Sequence, residues 1–147
     1  MITSILIIVI SALLFAYWFR YTCLLILSAK TTRDYAGEVA TANQLSFIEV
    51  QQQLAGPGHL ALNQLRASLD HDYAVVTYLL RHAANFQVDG VSLEQQMLKI
   101  DYRIMRVWYS VGGSFSAAQA RQALDEMSRV VAHFANSMGE ATAASQT

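Results

Sequence analysis

Residues 2 to 19, "ITSILIIVISALLFAYWF", are apolar at nearly every position and carry no charge. From about residue 31 the pattern changes. Apolar positions there recur at intervals of three and four, the period of a helix with one buried face, and the two-residue alternation of half-buried strands is missing. The pattern predicts an all-α chain: a single N-terminal transmembrane helix, then a small bundle of about four helices.

Breaks in the periodicity set the expected boundaries. Residues 1–30 form an anchor and juxtamembrane segment, 31–139 the bundle, and "GEATAASQT" leaves 140–147 as a flexible tail. The first bundle helix is expected from Thr32 to Leu54, able to run on from the membrane helix as one rod, with Gly56-Pro57-Gly58 as its stop. The second covers about 59 to 86, with a seam of Leu62, Leu65, Leu69, Val76, Leu79, Ala83 and Phe86. "QVDG" breaks the chain, and Ser92 with Gln95 reads as a capping box for the third helix. That helix has two apolar rows. Leu93, Met97, Ile100, Ile104, Val107 and Val111 form the seam, and Leu98, Tyr102, Met105 and Tyr109 the second row. After Gly112-Gly113, Ser116 with Gln119 opens the fourth helix, whose seam is Ala120, Leu124, Met127, Val131, Phe134 and Met138.

The membrane segment ends on a question of depth. Eighteen residues at 1.5 Å rise span about 27 Å, close to the roughly 30 Å hydrocarbon core. Either the helix continues to 29 with Arg20 inside the bilayer, at about 2.5–3.5 kcal/mol on insertion scales, or the hydrocarbon ends at Phe19. The second reading is favoured. It makes Tyr17, Trp18 and Tyr21 an interfacial aromatic belt with Arg20 among the headgroups. It also leaves "CLLIL" beyond the lipid, where protein must cover it. No basic n-region or small-x-small site marks a cleavable signal peptide. Arg20, Lys30 and Arg33 follow the span and no basic residue precedes it. The positive-inside rule then puts the N-terminus outside and the bundle in the cytoplasm, on the inner (plasma) membrane.

Composition sharpens the class. Hydrophobic residues make up 54% and charged ones 14%, against roughly 25% charged in soluble chains. Residues 31–147 hold eight basic and eleven acidic groups. A mildly acidic domain with scattered arginines does not suit nucleic acid, which needs a dense basic patch. The lone cysteine, Cys23, cannot close an intrachain disulfide and reads as a small buried hydrophobe.

Candidate chemistry is sparse. Asp72 and Asp101, each followed by Tyr, fall on apolar seams, where a carboxylate must be paired or hydrogen-bonded; Arg81, Arg103 and Arg106 are the candidate ion-pair partners. His71 and His82 share a helix face and give the alternative function, a haem- or metal-carrying redox subunit. No C-x-x-C-H, E-x-x-H pair, P-loop, G-x-G-x-x-G or G-x-S-x-G is present. Hence no catalytic residue, metal ligand, cofactor or small-molecule substrate is assigned. The third helix reads first as a central helix packed on two sides. Its end, Tyr102, Arg106, Trp108 and Tyr109, also carries the residue types of interface cores. The expected function is a non-enzymatic accessory or scaffolding subunit whose partners are the bilayer and either other membrane subunits or a second copy.

Overall fold

The computed structural model describes residues 1–29, 33–56, 61–84 and 93–146. The chain divides into two compact units, Met1–Lys30 and Thr31–Thr147. The described residues form six helices and no strand: α1 (Ile2–Ser28), α2 (Ala36–Asn43), α3 (Phe47–Ala55), α4 (Leu62–Ala84), α5 (Leu93–Gly112) and α6 (Ala117–Ser145).

The first unit is α1. Its 27 residues reach about 40 Å at 1.5 Å each, with a mean hydropathy of 2.4 in its most apolar window and none of that window buried. Ile, Leu and Phe side chains are exposed around the whole helix from Ile2 to Phe15, as a lipid-facing helix requires and a soluble one avoids. One helix of this length and composition can span a membrane. It passes through Arg20 without a break, and Leu24 and Leu25 remain exposed beyond it while Cys23 is buried.

The continuous rod from residue 2 to 54 that the periodicity allowed is not formed. Ala29 is extended at the end of α1, and residues 33 to 35 are not helical. The bundle's first element is two short helices rather than one from 32 to 54. Gln44 closes α2 in the left-handed conformation, φ 54° and ψ 44°, and the Leu45 N–H turns back to the Ala40 carbonyl at 2.9 Å. A glutamine with positive φ is uncommon, so periodicity gave no sign of this stop. The Gly56-Pro57-Gly58 stop agrees with α3 ending at Ala55 before an extended Gly56, although 57–58 lie outside the described residues, as do "QVDG", Ser92, Phe86 and the ends of the 59–86 helix.

The second unit is built on α6, which packs against α2, α3, α4 and α5. Ala120, Ala123, Leu124, Met127, Val130, Val131, Phe134 and Ala135 are almost fully buried along it. Met138, the last residue of the expected seam, is half-buried. Small residues let neighbours come close. A Cβ at Gly139 would overlap Tyr35 just ahead of α2, and the Tyr35 N–H donates to Asn136 Oδ1 at 2.6 Å. Ser116 sits at the start of α6, where the fourth helix was expected to open, although its side chain makes no capping bond. The segment expected as a tail is helical as far as Ser145.

Candidate docking surface

The third expected helix, α5, divides its two rows unequally. Leu98, Asp101, Tyr102, Met105, Tyr109 and Gly112 are buried, and of the other row only Met97 joins them. Leu93, Ile100, Ile104, Val107 and Val111 are exposed, with Trp108 at their side and Phe115 just past the helix end; exposure runs from 40% at Ile104 to 82% at Phe115. The expectation of a central helix packed on two sides fails for a structural reason. Among the described residues α5 lies against α6 alone at backbone range, so only one side of it is covered.

The buried side is joined to α4 by long side chains. The two backbones stay more than 8 Å apart among the described residues, and tyrosines fill the space. Tyr102 stacks on Tyr73 with ring centroids 3.9 Å apart and planes 5° apart. Its hydroxyl donates to Asp70 Oδ1 at 2.8 Å, and Arg106 Nε lies 3.2 Å from Asp70 Oδ2. Farther along, the Tyr109 hydroxyl donates to Asn63 Oδ1 at 2.8 Å, with the Arg66 guanidinium 5.7 Å over its ring. Burial, with the bond to Asp70 second, pushes the Tyr102 phenol well above its ordinary range, so it acts as a neutral donor.

Of the four expected contact residues, Trp108 and Arg106 are at the surface, and Arg106 is held by Asp70. Tyr102 and Tyr109 are α4–α5 spacers, 2% and 8% exposed. Their residue type suits an interface equally well as a core whose phenols find partners.

The seam carboxylates are also placed. Asp72 is 1% exposed, and neither Arg81 nor Arg103, both exposed, pairs with it. Its Oδ2 accepts the Ser46 N–H at 2.7 Å, and Oδ1 lies 3.5 Å from Nδ1 of the exposed His71. Ser46 precedes α3 and supplies no side-chain cap of its own, so Asp72 caps α3 from α4. The positive end of the α3 dipole favours that negative charge. Asp101 is fully buried on α5.

No protein-family model, curated protein or solved structure matches this chain.

His71 and His82 are both exposed, and His82 Nδ1 lies 2.8 Å from the Tyr78 carbonyl of its own helix. Among the described residues no three of His, Cys, Asp and Glu converge on one point. A solvent-open groove of about 880 Å³, lined by Glu38 and Glu140 among others, lies between α2 and the last turns of α6.

On α1, Tyr17, Trp18, Arg20 and Tyr21 occupy just over one helical turn, and the Tyr17 and Tyr21 rings stack at 6.3 Å. Phe15 lies 6.0 Å from Trp18, extending the aromatic collar.

A further titratable group is His133 on α6, part-buried in the bundle. Burial holds its imidazole below the ordinary 6.5, opposed by Glu94 and Glu140. Below that pH the unfolded chain takes up the proton more readily than the fold. Stability contributed by neutral His133 is therefore complete above about pH 6.5 and declines as pH falls toward the lower folded value. Thermal melts across pH 5–7.5 should show this decline, and His133→Gln should flatten it.

Proposed function

We propose that this protein is a single-pass, membrane-anchored, non-enzymatic subunit whose helical bundle docks, as an accessory or scaffold, on protein partners in the same membrane. One observation carries the reading. A row of large apolar side chains from Leu93 to Val111, with Trp108 and Phe115, stands exposed on a helix whose other side is already packed. Contiguous exposed apolar surface on this scale marks interaction sites, and tryptophan is a frequent anchor of binding energy.

The rest of the reading follows from α1. Its exposed apolar surface supports anchorage, with hydrocarbon covering about residues 2 to 19 and the collar from Phe15 to Tyr21 at the headgroups. Arg20, Lys30 and Arg33, all on the C-terminal side of the span, support an N-terminus outside and a bundle in the cytoplasm at the inner membrane.

The test is a Trp108→Ala variant of the full chain. Its helicity by circular dichroism should match the parent, because Trp108 is about half exposed, at 48%. Its partner should be lost on purification in mild detergent, a weakening of about tenfold or more for an anchor worth some 2 kcal/mol. Unchanged partner recovery with unchanged helicity would remove α5 as the docking site.

A further inference from the structure

We infer that the occupant of the exposed α5 face is a second copy of this chain, with α5 pairing against α5 in parallel; this deepens the docking reading and rests on it. The exposed seam has the form of one helix meeting another. Leu93, Met97, Ile100, Ile104, Val107 and Val111 alternate steps of four and three, the a/d spacing of a coiled-coil seam, and all but Met97 are exposed. The seam contains no charge, so each position tolerates its own copy across a two-fold axis, as an isologous contact demands.

The flanks choose the direction. Lys99 and Arg106 fall at c positions, away from the seam, and Arg106 is already held by Asp70. Arg103 falls at the g position beside the seam, is exposed, and has no ion-pair partner among the described residues. In an antiparallel pair g faces g, and Arg103 would meet its own copy, a like-charge contact that opposes association. In a parallel pair each g side chain faces the partner's e position five residues on. Arg103 then meets the partner's Trp108, a cation–π contact made twice by symmetry.

Area is adequate. The exposed side chains of this face present on the order of several hundred Å² of apolar surface, the scale one partner brings to a standard interface. Two copies anchored by α1 in one bilayer also meet at high effective concentration.

The experiment is oxidative cross-linking of the full chain in native membranes. In a Cys23→Ala background, single substitutions Ile100→Cys, Ile104→Cys, Val107→Cys and Val111→Cys should each link to their own copy. The yield should exceed that of Lys99→Cys and Arg106→Cys several-fold. Alongside, Ile104→Asp and Arg103→Ala should halve the protein mass measured in mild detergent, with helicity retained; a retained dimer in both would overturn the pairing. Self-linking at only one seam position would also overturn it, since that is the antiparallel pattern. A benzoylphenylalanine at Val107 separates the remaining cases. Transfer to a different protein, without self-linking, would overturn the second copy and leave the docking reading intact. Transfer to no protein at all would remove both.

Discussion

Phe134→Ala is expected to cost about 3–5 kcal/mol, the range for removing a buried aromatic side chain. Phe134 is fully buried at 0% exposure, on α6, which packs against α2, α3, α4 and α5. Its ring lies 6.1 Å from Tyr73, which in turn stacks on Tyr102. The cavity would open where α4, α5 and α6 meet. Against a total stability of about 5–15 kcal/mol, the loss lowers the melting temperature by on the order of 10–25 °C. Far-ultraviolet circular dichroism in mild detergent measures it. The melt should leave a residual helical signal from α1, whose backbone bonds lie within its own segment. A drop under about 1 kcal/mol would mean the core is elsewhere.

Asp72→Ala should destabilise the bundle by about 2–4 kcal/mol. The deletion removes a charge-assisted bond to the Ser46 N–H, leaves that donor unsatisfied, and vacates a position buried between Leu69 and Val76. Asp72→Asn separates these causes. It keeps the volume and one acceptor but loses the charge at the start of α3, so it should cost about half as much. The site of damage is also specific. Amide exchange should rise first in α3, at Ser46 to Val50, before the α4–α6 contact opens. Equal losses for Ala and Asn would assign the effect to charge; no loss for either would show that the Ser46 contact contributes nothing.

Asp72 also illustrates what the sequence could convey. Its place on an apolar seam predicted a buried carboxylate paired with an arginine, whereas the structure buries it against the Ser46 N–H. The identity of the partner was beyond reach, because the Ser46 N–H comes from a helix start that periodicity did not resolve. The short α2 and α3 merged into one for the same reason: a left-handed Gln44 leaves no mark of the kind Gly or Pro leaves. Ser46-Phe47-Ile48-Glu49, of S-x-x-E form, was the available signal for a new helix start.

The α5 rows were legible as rows and not as faces. Both satisfy a helical period, so the sequence could not tell which would meet α6. Tyr102 and Tyr109 looked like contact residues because phenols suit interfaces and hydrogen-bonded cores alike. Only Asn63 and Asp70, reaching across from α4, decided for the core. Trp108 stays about half exposed, since among the described residues α5 has α6 alone at backbone range.

The sequence by itself determined an all-α chain with one uncharged apolar span and an amphipathic helical body, since burial at period 3.6 and all-round hydropathy are local properties of the chain. The tertiary structure alone decided which apolar row stays uncovered, because exposure depends on how many neighbours pack around a helix. It likewise decided which backbone N–H meets a buried carboxylate, since that pairing depends on where two distant helices cross.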